Sequence, residues 1–281
     1  MVTACLAGNT PFVLYKLPGA KEVIGIIHDP EAGGQHTRFI FHPFENEEKG
    51  YELAVNAAIC TSLKEIPVPD SNVASSLPPD TDAKKKYLKL VQEAQAAIAK
   101  DEFQKVVLSR AVKLPGKQDP QRLFCRLAHT YSNAFCYWWY HPSTGHWLGA
   151  SPELLLATQD NEVTIMSLAG TRTSKTGETV SWDDKEIEEQ ALVSTYIREI
   201  VSHHGTAVSE EGPHTIQAGS LAHLGTQFTA SLLSDTASLL KDLHPTPAVC
   251  GVPAESARQF IRQHEGYERK YYTGYLGLLS S

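Results

Sequence analysis

Apolar positions recur along this chain at two periods. PFVLYKL (11–17), EVIGIIH (22–28) and RFIFHPF (38–44) are short runs rich in β-branched and aromatic residues, and they predict strands. From Thr81 the period lengthens: Tyr87, Leu88, Val91, Ala94 and Ile98 recur at helical spacing in a stretch rich in Ala, Lys and Gln. QKVVLSRAVKL (104–114) then predicts a strand, and DPQRLFCRLAHTY (119–131) a helix. AFCYWWY (134–140), ELLLAT (153–158) and EVTIMSLA (162–169) predict three further strands. Ser181 opens a long helix, with Asp184 as a capping-box-like partner, that runs to about His203. A last helix covers Ala254 to His264, with Pro253 at its start. Runs of strands broken by single helices predict an α+β fold rather than a regular βαβ array.

Residues 67–82 (PVPDSNVASSLPPDTD) interrupt both periods and read as a connector. The chain therefore divides into a strand-rich part (1–66), the connector (67–82) and a longer region (83–281). A second interruption, LHPTPAVCG (243–251), holds two prolines two residues apart, which bias His244 and Thr246 toward extended backbone. Ala248 and Gly251 then strip away side-chain bulk and let something approach the backbone closely. Locally, a rigid connector before the next helix accounts for this run.

Composition narrows the classes. Across 281 residues, 42% hydrophobic and 20% charged content is that of a globular protein with a sizeable core. A net charge of −7 argues against a nucleic-acid partner, and any bound anion must be met by local positive charge or a cation. The five cysteines are scattered without a C-x-x-C pair, which excludes a disulfide framework or a thiolate zinc site and fits a reducing compartment. No signal-peptide pattern opens the chain and no apolar run is long enough to span a membrane, so a cytoplasmic protein is expected.

Three charged residues sit where charge is uncommon. On a strand, Lys105 would share a face with Val107, Ser109 and Ala111; a lysine desolvated there could serve as a general base, whereas one frayed at the strand edge would only meet solvent. Glu153 stands after Pro152 at the mouth of an apolar run, as a general acid of raised pKa or as a solvated strand end. Glu189 falls on one helical stripe with Glu186, Gln190, Val193, Ile197 and Ile200. A carboxylate there needs a partner, either a hard divalent cation or an arginine. His203, His204, His214 and His223 lack metal-ligand spacing.

In order, KVVLSR, SPELLL, AGTR, a KE-x-EEQ helix, LAHL, HPTPAVCG and RKYYTGYLG resemble the chorismate-utilising enzymes, and HPTPAV resembles the isochorismate synthase branch. The resemblance covers nearly the whole chain. It implies two packed antiparallel sheets flanked by helices, with the active site in a cleft. It implies magnesium-dependent conversion of chorismate to isochorismate, in which water adds at C2 and the C4 hydroxyl leaves. By resemblance, Lys105 is the water-activating base, Glu153 the general acid and Glu189 a magnesium ligand. Ala169, Gly170 and Thr171 lie near the ring carboxylate, and His223 beside the reacting ring. Thr246, Pro247, Ala248 and Val249 form the wall against the ring.

Family members continue past the equivalent of YTGYLG with a strand bearing an arginine, a G-x-G-I turn and an E-x-x-E-x-x-K helix. The fold is therefore expected to be C-terminally truncated, with weak magnesium affinity and little or no synthase activity for the chain alone. Salicylate synthase or another chorismate-utilising activity is the enzymatic alternative. A catalytically incomplete fragment that binds ligand or a partner chain is the alternative of another class. Menaquinone and siderophore biosynthesis are both open as pathways.

Overall fold

The run FVLYK has large side chains on both faces, and in the computed structural model it becomes a central strand with both faces covered. The structure describes residues 1–29, 37–68, 80–174, 178–218 and 221–280. The first part comprises α1 (Val2–Ala7), β1 (Phe12–Lys16), β2 (Glu22–Ile27), β3 (Thr37–His42), β4 (Tyr51–Ala54) and β5 (Ala58–Ser62). Next come α2 (Thr81–Ile98), β6 (Lys105–Val106), α3 (Pro120–Thr130), β7 (Phe135–His141), β8 (Gly145–Ser151), β9 (Ala157–Gln159) and β10 (Glu162–Thr173). The chain continues with α4 (Asp184–His204), β11 (Gly205–Ala218), β12 (Leu221–Leu232), α5 (Thr236–Leu243), β13 (Gly251–Val252), α6 (Ala254–His264) and β14 (Tyr275–Ser280).

The class is α+β, as expected, and the strand pairings among the described residues are antiparallel. A five-stranded sheet, ordered β5-β2-β1-β7-β8, packs on a three-stranded sheet, β14-β3-β4. The seam holds Val13, Tyr15 and Trp139 from one side and Phe39, Phe41 and Leu53 from the other. Phe12, Leu14 and Trp138 point the opposite way, onto Phe124 of α3. Each such side chain contributes on the order of 1.5–3 kcal/mol by leaving water.

A four-stranded sheet, β11-β12-β10-β9, supports the other half. Val193, Ile197 and Val201 of α4 pack onto Val163 and Ile165 of β10, Phe228 of β12, and Leu239 and Leu243 of α5. This long helix is the frame on which the site is mounted.

Three expectations change in detail. The long helix begins at Asp184, capped by Asp183, and Glu186 rather than Asp184 closes the capping box. The run 104–114 is a strand only at Lys105–Val106, so Lys105, Val107, Ser109 and Ala111 do not share a strand face. The run 153–158 is a strand only from Ala157. In both shortened runs other partners take the backbone: Ser109 N donates to the Glu265 carboxylate at 2.8 Å, and Met166 N donates to Leu154 O at 3.2 Å. Of the connector, 69–79 lies outside the described residues; Asp80 already caps α2 through the amides of Asp82 and Ala83.

Candidate active site

The small residues at the end of LHPTPAVCG have a structural purpose. Gly251 pairs with Val106 and Val252 with Lys105 in the two-stranded ladder. A Cβ on Gly251 would lie 2.1 Å from the Lys105 carbonyl oxygen and 2.5 Å from Ala257 Cβ. Glycine therefore lets the lysine-bearing segment come into backbone contact with this run. Gln104 N donates to Val252 O and Val107 N to Cys250 O, both at 2.7 Å, and extend the join.

Lys105 is buried, 8% exposed, so the reading in which it frays into solvent is excluded. Its Nζ donates to Pro247 O at 2.9 Å and forms an ion pair with Glu189 Oε1 at 3.0 Å. Glu189 is half-buried at the margin of the α4 stripe, whose buried members are Gln190, Val193, Ser194, Ile197 and Val201. Its partner is thus a lysine, where an arginine or a cation was expected.

Glu153 is exposed as a residue, yet its carboxyl is crowded by surrounding protein. That surround raises its carboxyl above the ordinary carboxylate range, and the Lys105 charge opposes the rise. Tyr272 of the RKYYTGYLG run is raised chiefly by burial, with Glu153 among the smaller contributors, which sets its phenol in the same neighbourhood.

A second group lies one helical turn along α4, roughly 5 Å away. Gly170 adopts φ +68° at a register break between β10 and β12, and a Cβ there would meet Glu186 Cβ at 3.1 Å. Across the break Thr171 pairs with His223. His223 Nδ1 lies 3.0 Å from Thr171 Oγ1 and 3.3 Å from Gly170 O. Burial lowers the imidazole pKa, so the ring is neutral at neutral pH. A proton on Nδ1 would satisfy either oxygen and leave Nε2 as an acceptor. Ala169 is buried under the helix. Beneath this group Gln190 donates to Ser167 Oγ at 2.7 Å and to Thr226 Oγ1 at 3.1 Å, pinning the helix to both strands.

The structure therefore brings Lys105, Glu189 and Pro247 into contact and gathers Gly170, Thr171 and His223 into a neighbouring cluster. Thr246 and Ala248 hold the intervening wall; Ala248 packs on the α4 core, and Thr246 O accepts from Val249 N at 3.1 Å and Cys250 N at 3.0 Å. Sequence reasoning missed Glu265 and Arg269, a fully buried pair beneath this wall. Their i,i+4 spacing in HEGYER was a usable signal.

His244 anchors the same wall from behind. Its Nε2 faces Phe44 O at 3.0 Å and Pro43 O at 3.2 Å, and Asn46 Nδ2 donates to its carbonyl at 2.7 Å. Burial lowers its pKa to about 4 despite those carbonyls. The folded chain thus keeps His244 neutral where the unfolded chain, with an ordinary value near 6.5, takes up a proton. Stability from this residue is intact above pH 6.5 and is lost as pH falls toward 4, by up to about 3 kcal/mol. Urea melts at pH 7 and pH 4.5 should show a smaller acid loss for His244→Gln than for the wild type. An equal loss in both would contradict this assignment.

Among the described residues no group of three or more His, Cys, Asp or Glu side chains gathers as a metal cage. Glu189 offers one carboxylate. Magnesium is commonly held by one or two carboxylates with substrate oxygens and water, so this donor set fits an ion shared with a substrate rather than one held by protein alone.

Comparison with known proteins adds independent findings. A family model described as chorismate binding enzyme matches residues 42–281. Isochorismate synthase MenF of Escherichia coli (strain K12) is 30% identical over 233 residues, 79% of this chain and 54% of that protein. The vibriobactin-specific isochorismate synthase of Vibrio cholerae is 33% identical over 62% of this chain and 47% of its own length. The chain spans about half the length of these curated relatives. The solved structure of the menaquinone-specific MenF from Escherichia coli superposes with a TM-score of 0.78, at 20% identity, over 96% of this chain and 76% of that one, which shows a shared fold.

Proposed function

Because the chain belongs to the chorismate binding enzyme family, we propose that it converts chorismate to isochorismate. The observation that carries this reading is the buried Lys105 amine, fixed between Pro247 O and Glu189, with the raised Glu153 carboxyl close enough to feel its charge.

The reaction needs a base for the water that attacks C2 and an acid for the C4 hydroxyl that departs. Lys105 is the base: its buried amine is aimed by two fixed acceptors, and once it has given up its own proton it would take one from water. Glu153 is the acid: its crowded setting keeps the carboxyl protonated to higher pH, ready to protonate the leaving hydroxyl. His223 offers a neutral ring edge, and the Ala169–Gly170–Thr171 backbone offers polar groups, beside the substrate ring. The 246–249 run, with its small and proline side chains, would lie against the ring. Glu189 is the residue that would hold magnesium, and the ion would offset the charge of the substrate carboxylate. The five cysteines are free, four of them buried, which supports a cytosolic setting.

Chromatography of the products formed from chorismate and magnesium tests the activity. Isochorismate should appear without ammonia or glutamine. Anthranilate formed only on adding ammonia would overturn the proposal, and salicylate with pyruvate would assign the sister activity instead.

A further inference from the structure

We propose that Arg269, held by Glu265, is a positioning residue that sets where the Lys105 amine stands; this rests on Lys105 being the base. Past Val106 the ladder joining the lysine segment to the 243–252 run narrows to one backbone bond, Val107 N to Cys250 O, and the carbonyls of Val107 and Val249 look to another partner. Arg269 takes over there. Its Nη2 donates to Val107 O at 2.7 Å and its Nη1 to Val249 O at 2.8 Å, one carbonyl from each segment, each two residues past a partner in the Lys105–Pro247 contact.

The guanidinium is used completely. Nε donates to Glu265 Oε2 at 2.9 Å, Nη2 also reaches Glu265 Oε1, and Nη1 also reaches Thr273 Oγ1 at 3.2 Å. Its face lies over the Phe44 ring, 4.7 Å from the centroid. Glu265 extends the clamp by accepting from Ser109 N at 2.8 Å and Ser109 Oγ at 2.9 Å. The side chains of the pair are 2% and 0% exposed. A rigid five-donor fork can hold two carbonyls and a carboxylate at once; a lysine, with a single ammonium point, cannot. The clamp and the Lys105 contact thus fix the same two segments at two points.

Arg269→Lys tests this with two separate readings. In the folded variant, checked by a cooperative melt, Lys105 should be acylated by a water-soluble amine reagent about tenfold faster relative to exposed Lys113 and Lys117, because its holding segments part. Turnover should fall about 10–10²-fold through kcat with KM little changed, since small misplacements of a reacting group are costly. If Arg269→Lys does not fold, Glu265→Gln carries the same readings. Unchanged Lys105 labelling and unchanged kcat in a folded variant would overturn the proposal. Faster labelling in a protein whose wild type forms no isochorismate would uphold the positioning and reject the activity instead.

Discussion

Replacing Lys105 by alanine is expected to lower the rate of isochorismate formation about 10²–10⁴-fold, the usual weight of a general base. The substitution also leaves Glu189 and Pro247 O without their shared donor, so some stability is lost with it. Lys105→Arg separates the two effects. Arginine keeps the positive charge for Glu189 but cannot be deprotonated at working pH. It should preserve folding while losing the rate as severely as alanine does. A Lys105→Arg protein that turns over near the wild-type rate would show that the amine serves only as a buried counter-ion.

Glu153→Gln should produce a loss of similar size, about 10²–10⁴-fold, because the amide keeps the shape and has no acidic proton to give. The pH profile gives a sharper reading. A general acid works in its protonated form, so the wild-type rate should fall as pH rises through the raised Glu153 pKa. The residual rate of Glu153→Gln should lack that limb. Steady-state rates between pH 5 and 9 measure both, and a limb that survives in the variant would assign the titration to another group.

The fold was legible where burial is periodic. The runs 11–17, 22–28 and 38–44 became strands, and α2 and α6 begin at the residues their spacing and caps indicate. It was illegible where side chains replace the ladder. The run 104–114 has strand composition, but past the Val107 N bond to Cys250 O its backbone is held by Glu265 and Arg269 from a segment some 160 residues away, contacts that no local pattern contains. β12 was overlooked although Ala222, Leu224, Thr226, Phe228 and Ala230 alternate inward. Three of those five, Ala222, Thr226 and Ala230, are small or polar, and β11 beside it is mostly exposed. For the site, the motif order singled out Lys105, Glu189 and Pro247, and these are in direct contact. Helical spacing alone left the partner of Glu189 open, since a stripe position shows that a carboxylate needs compensation but not what provides it.

The central claim is that this site directs water to C2 of chorismate. Its most direct test is incubation of the chain with chorismate and saturating magnesium in ¹⁸O-enriched water, with mass spectrometry of the product so that slow turnover is still seen. The expected result is isochorismate carrying one heavy oxygen, located at C2, formed by the wild type and not by Lys105→Arg. Unlabelled isochorismate, or chorismate recovered unchanged from a folded wild-type protein, would contradict it.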